Sequence, residues 1–124
     1  MGIRVYVTGR VGVEVDGQVV INERRFRGKQ DRLLFVYLVC ERSRPVAKEE
    51  LASVLWPEDQ SDAWEAAISA FTSRLAGMLS SEGFEDLGMS FSRQYRQYQL
   101  RLPCDAWIDI GAGNSALDQA ETRQ

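Results

Sequence analysis

Histidine is absent from the 124 residues, which removes the commonest general base and the commonest metal ligand from any catalytic reading. Cysteine is nearly as scarce. Cys40 and Cys104 lie far apart and match no metal-ligand spacing, so a disulfide scaffold or zinc module is excluded and a reduced, cytoplasmic chain is expected. No apolar run approaches the roughly 20 residues of a membrane span, and the N-terminus carries no signal-peptide pattern. A positive balance is missing too: the formal net charge is −3, which gives no global attraction to phosphate or anionic lipid. Nor is there a glycine-rich phosphate loop, a nucleophile beside a base, or a carboxylate pair with reason to converge. No catalytic residue, metal or cofactor is expected.

What is present suits one folded domain. The hydrophobic fraction of 44% and charged fraction of 27% are ordinary for a globular chain of this length. Charge is distributed unevenly. Residues 1–44 hold nine Lys/Arg against five Asp/Glu, whereas residues 45–90 hold only Lys48 and Arg74 against nine acids. Basic surface is therefore concentrated around "RRFRGK" at 24–29 (Arg24, Arg25, Arg27, Lys29) and in "RQYR" at 93–96.

Hydrophobic period changes along the chain. Ile3, Val5 and Val7, then Val11, Val13 and Val15, alternate with period 2, and "DG" at 16–17 is a two-residue hairpin signal before "QVVI". Two or three short antiparallel strands follow from this. From Lys29 to Arg42 the spacing turns helical, with Leu33, Leu34, Tyr37 and Leu38 on the apolar side and Cys40 expected as a buried thiol. Pro45 ends that helix and leaves "PVA" extended. A short helix from Lys48 to Trp56 buries Leu51, Val54 and Leu55, with Ala47 as a poor N-cap, and Pro57 stops it.

Asp62 and Glu65 form a D-x-x-E start resembling a capping box, so a third helix is expected over 62–79. On its wheel Trp64, Ala67, Ile68, Phe71, Leu75, Met78 and Leu79 share the core side. The opposite side is small: Ala66, Ser69, Ala70, Ser73 and Gly77, flanked by Thr72 and Arg74. "LGMSFSRQYRQYQLRL" at 87–102 predicts a hairpin with Phe91, Tyr98, Leu100 and Leu102 inward, closed by Pro103. Strands, helix, short strand, two further helices and a hairpin describe an α+β winged helix-turn-helix behind an N-terminal antiparallel sheet.

Residues 28–79, through "RLLFVYL", "RPVAKEELASVLWP" and "EAAISAFTSRL", resemble the DNA-binding domain of the Streptomyces antibiotic regulatory proteins. Those regulators carry an OmpR/PhoB-type winged helix followed by a bacterial transcriptional activation domain. With "VEVDGQVV" before and "YQLRLP" after, the similarity covers nearly the whole chain. It implies a DNA-binding domain over 1–103, and a linker and the start of a truncated helical activation domain over 104–124. This chain departs from the family at Ala76 and Gly77, where further basic residues are usual, and at "RQYR", where the wing tip is usually Gly-rich.

The resemblance also implies partners. Helix 62–79 enters the major groove of double-stranded DNA, and the 89–102 wing lies over the backbone or minor groove. Ser69, Thr72 and Ser73 are the candidates to reach base edges or phosphates. Lys48, Arg74, Arg93 and Arg96 are the candidate phosphate contacts, with Arg24 and Arg25 as a second basic cluster. Homodimeric or tandem binding, and a contact to RNA polymerase through the 57–62 loop, are further implications. The alternative is a winged helix that has lost DNA binding and serves as a protein-interaction module, which the acidic middle of the chain favours.

Overall fold

The structure, a computed structural model, describes residues 2–8, 10–58 and 62–109. The chain forms two compact units. One contains residues up to Arg27 and the chain from Cys104 onward; the other is Gly28–Pro103.

The first unit is a four-stranded sheet in the order β3-β2-β1-β7: β1 Ile3–Tyr6, β2 Gly12–Val15, β3 Gln18–Ile21 and β7 Trp107–Asp109. Alternation sets its faces. Ile3, Val5, Val13 and Ile21 are buried on one side, with Val5 opposite Val13 and Val13 opposite Ile21. Asp16 and Gly17 both take positive φ, 53° and 85°, the signature of a tight two-residue turn matching the strand twist. Gly12 is required for space: a Cβ there would lie 2.7 Å from the Ile21 carbonyl oxygen. A short 3₁₀ turn, Glu23–Arg25, is capped by Asn22, whose side chain accepts from the Arg24 amide at 2.9 Å.

Strand β7 was not expected. It pairs in parallel with β1, Arg4 opposite Trp107 and Tyr6 opposite Asp109, where the sequence suggested a linker. Trp107 meets the Tyr6 ring edge-on at 5.6 Å and lies under the Arg4 guanidinium, contacts that hold a three-residue strand no local pattern announces. Residues 110–124, for which a helix start was expected, lie outside the described residues, as do Asp59, Gln60 and Ser61 of the 57–62 loop.

The second unit is the winged helix. Helix α1, Lys29–Cys40, is followed by β4 (Val46–Ala47), α2 (Lys48–Leu55) and α3 (Trp64–Ser81). A hairpin of β5 (Ser90–Gln94) and β6 (Gln97–Arg101) completes it, β4 pairing with β6 in the order β4-β6-β5. Leu34, Leu38, Leu51, Ile68, Phe84, Met89 and Leu100 are fully buried.

Several details differ from expectation. The buried stripe of α1 is Asp31, Leu34, Phe35, Leu38 and Val39, one residue round from the predicted side, leaving Leu33 and Tyr37 half-buried. Cys40 ends up exposed at the helix terminus, although partial desolvation still raises its thiol pKa. Helix α2 buries Ala52 rather than Val54 and, as expected, has Ala47 as an N-cap without a side-chain hydrogen bond. No capping box forms at α3. The helix starts at Trp64, its N-cap is Ala63 without a side-chain bond, and Glu65 is used elsewhere. At its other end Gly83, φ 69°, supplies the left-handed residue that lets the chain turn off the helix.

Candidate nucleic-acid interface

Helix α3 presents two different flanks. Ile68, Thr72, Leu75 and Leu79 recur at helical spacing and are buried; Ala66, Ser69, Ala70, Ser73 and Gly77 are exposed. A Cβ built on Gly77 would meet nothing within 4 Å, so the backbone itself is open to approach there. The small outer face predicted from the wheel is thus exposed.

The buried stripe corrects one expected contact. Thr72 is 1% exposed, and its hydroxyl donates to the Ile68 carbonyl at 2.9 Å and lies 3.1 Å from that of Ser69. A hydroxyl satisfied by its own preceding turn carries no unpaired polar group into the core. The Thr72 hydroxyl is turned to its own helix rather than outward.

Arg74 is corrected as well. Its guanidinium turns towards α1 and donates from Nε and Nη2 to the two carboxylate oxygens of Asp31, at 3.1 and 2.9 Å. Asp31 is 9% exposed, and the arginine also lies 5.1 Å from the Phe71 ring centroid. Phe71 in turn stacks on Trp56. Arg74 therefore fastens α3 to α1, its charge compensated by a buried carboxylate.

The other candidates gather beside the bare face. Lys48, the first residue of α2, donates from Nζ to the Ser69 hydroxyl at 3.0 Å. Arg93, on β5, donates to the Ser73 hydroxyl at 3.1 Å. Among the described residues neither cation is paired with a carboxylate, so both keep their charge for another anion. Together with Gln94 and Tyr95 they line an open depression of about 420 Å³ between α3 and the hairpin.

Arg96 lies at the same rim but differs electrostatically. Its Nη2 donates to Glu49 at 2.7 Å and to Glu65 at 2.8 Å, while its carbonyl accepts the Lys48 amide at 2.9 Å. The hydrogen bond from Arg96 holds the Glu49 carboxyl below its ordinary range. Those to Glu49 and then Glu65 raise the arginine's own pKa. Arg96 clips the hairpin to the starts of α2 and α3, and its charge is more than balanced.

Arg24 and Arg25 belong to the other unit, on the 3₁₀ turn, and are exposed. The hairpin turns its Tyr98 and Leu100 inward as expected, with Phe91 half-buried and stacked 6.2 Å from Tyr98. Among the described residues no three potential ligands cluster to hold a metal, and no helix is long and apolar enough to cross a membrane.

No family model matches the sequence, and no curated protein matches it. Among solved structures the chain is similar to Mycobacterium tuberculosis EmbR, determined in complex with a low-affinity phosphopeptide, with a TM-score of 0.65 and 23% identity. The match covers 84% of this chain but 26% of the EmbR chain, and what the two share is the α+β winged-helix fold.

Proposed function

We propose that this chain is the DNA-binding part of a transcriptional regulator. In this reading α3 enters the major groove through Ala66, Ser69, Ala70 and Ser73, and the β5–β6 hairpin lies over the adjacent backbone. The observation that supports it most is the exposed, small-residue face of α3 flanked by Lys48 and Arg93, two cations whose side chains, among the described residues, hydrogen-bond to hydroxyls of that face rather than to a carboxylate. Small side chains let the helix axis approach base edges closely. In this reading the two cations meet the phosphates that flank a groove-bound helix. Serine accepts several base edges, so discrimination by this helix is modest.

Two phosphate contacts define the test. Binding of the protein to a mixed-sequence duplex, followed by anisotropy, should be measurable at low salt and weaken linearly on a log–log plot. A slope of about −2 is expected from Lys48 and Arg93. Full regulator function, with homodimeric or tandem binding, is part of the same proposal.

A second reading, a protein-interaction module, is favoured by one specific observation: Arg74 and Arg96 are already compensated by carboxylates. An Ala/Ser/Gly face equally permits close helix–helix packing. Absence of duplex binding at low salt, from a dimerised form too, overturns the DNA reading and leaves this one.

A further inference from the structure

The tip of the hairpin carries a feature that the groove-binding reading does not need. Gln94 and Gln97 pair across a two-residue turn whose central residues, Tyr95 and Arg96, both have positive φ, 55° and 60°. Glycine fills such turns without steric cost and asparagine tolerates them through local hydrogen bonds; a tyrosine and an arginine in succession have neither advantage. The ring at this strained position is also the most exposed large hydrophobic side chain among the described residues, 91% accessible. Strain held at a protruding tip by surrounding contacts is a mark of function. The contacts that hold it are those of Arg96, whose guanidinium bridges Glu49 and Glu65 and whose carbonyl accepts the Lys48 amide.

We propose that Tyr95 is a duplex-contacting residue and that Arg96, beside it, is a positioning residue that touches no phosphate. The inference rests on the DNA-binding reading above. Tyr95 borders the depression that contains Lys48 and Arg93, so a backbone seated on those cations brings a sugar against its ring. Its hydroxyl is a neutral donor for a phosphate oxygen, and its ring offers apolar area to a deoxyribose. Arg96 makes the opposite contribution. Two carboxylates hold its guanidinium, so it neutralises nothing on the DNA, and its clip fixes the turn that aims the ring outward.

Charge separates these roles experimentally, because only a contact that neutralises phosphate releases counterions. The whole chain and its variants would be titrated with mixed-sequence duplex across a salt series. Tyr95→Ala is expected to weaken binding about tenfold with the salt slope unchanged, as for loss of an uncharged contact. Tyr95→Gly should lose as much affinity while raising the thermal midpoint, since glycine relieves the left-handed turn. Arg96→Ala should weaken binding several-fold without flattening the slope, and Tyr95→Ala should then cost little more when added to it.

Wild-type affinity in Tyr95→Ala, or a slope flattened by about one unit in Arg96→Ala, overturns the assignment. The DNA reading survives that result provided the wild type binds and Arg93→Ala flattens the slope. A wild-type chain that does not bind duplex overturns both.

Discussion

Asp31 and Arg74, 43 residues apart, are joined by two hydrogen bonds between one carboxylate and one guanidinium across α1 and α3. The carboxylate is buried and the arginine one-third exposed, 9% and 32% of their side chains being accessible. Removing one partner leaves the other charge facing a largely dry contact. Asp31→Ala is therefore expected to cost about 2–3 kcal/mol, less than the roughly 3–5 kcal/mol of a fully buried pair because the arginine keeps some water. Urea denaturation checks it. Arg74→Ala should destabilise the fold while leaving the salt slope of duplex binding at its wild-type value.

Thr72 offers a complementary contrast with Ser73. Replacing the buried hydroxyl by a methyl in Thr72→Val keeps the shape and frees two backbone carbonyls already used by the helix, so stability should change by less than about 1 kcal/mol. Duplex affinity should not change. Ser73→Asp, on the exposed face, should leave the thermal midpoint near wild type but weaken binding at least tenfold by setting a carboxylate against phosphate.

Lys48→Ala and Arg93→Ala should each flatten the log–log salt dependence by about one unit, and the double variant by about two. Arg93 is exposed and Lys48 half-buried, neither lying in the core, so circular dichroism should show an unaltered fold. A single variant that removed all salt dependence would mean that the two cations do not act as separate phosphate contacts.

Acid should loosen the junction of α1 and α2. Hydrogen bonds from Arg44 and then from Tyr37 lower the Glu50 pKa from 4.5 to about 2. A carboxyl depressed in the folded state contributes stability that is complete above its unfolded value and is lost as pH falls through its folded value. The contribution should fade from about pH 4.5 down to about 2. Glu50→Gln should reduce that part of the pH dependence, measured as the urea midpoint against pH.

Element order was legible because its signals are local. Asp16-Gly17 marks a hairpin, Pro45 and Pro57 bracket α2, and the switch from period 2 to period 3.6 falls at Gly28. The exposed small face of α3 was legible for the same reason: five residues at helical spacing need no knowledge of the rest of the fold. Side-chain destinations were not. Arg74 reads as a surface cation until Asp31 is placed beside it, and Arg96 until Glu49 and Glu65 are, 47 and 31 residues away in sequence. Thr72 was misplaced by its chemistry, since a hydroxyl bonded to its own helix can be buried like an apolar residue. Strand β7 depends on pairing with a strand a hundred residues earlier, which three residues cannot announce.

The central claim is that duplex DNA docks on the outer face of α3 beside Lys48 and Arg93. Backbone amide shifts of the labelled protein, recorded as a short duplex is added at low salt, test it most directly. The account predicts perturbations concentrated at Ala66, Ser69, Ala70, Ser73 and residues 93–95. Shifts confined to the N-terminal sheet, or none on α3 while binding persists, would contradict it.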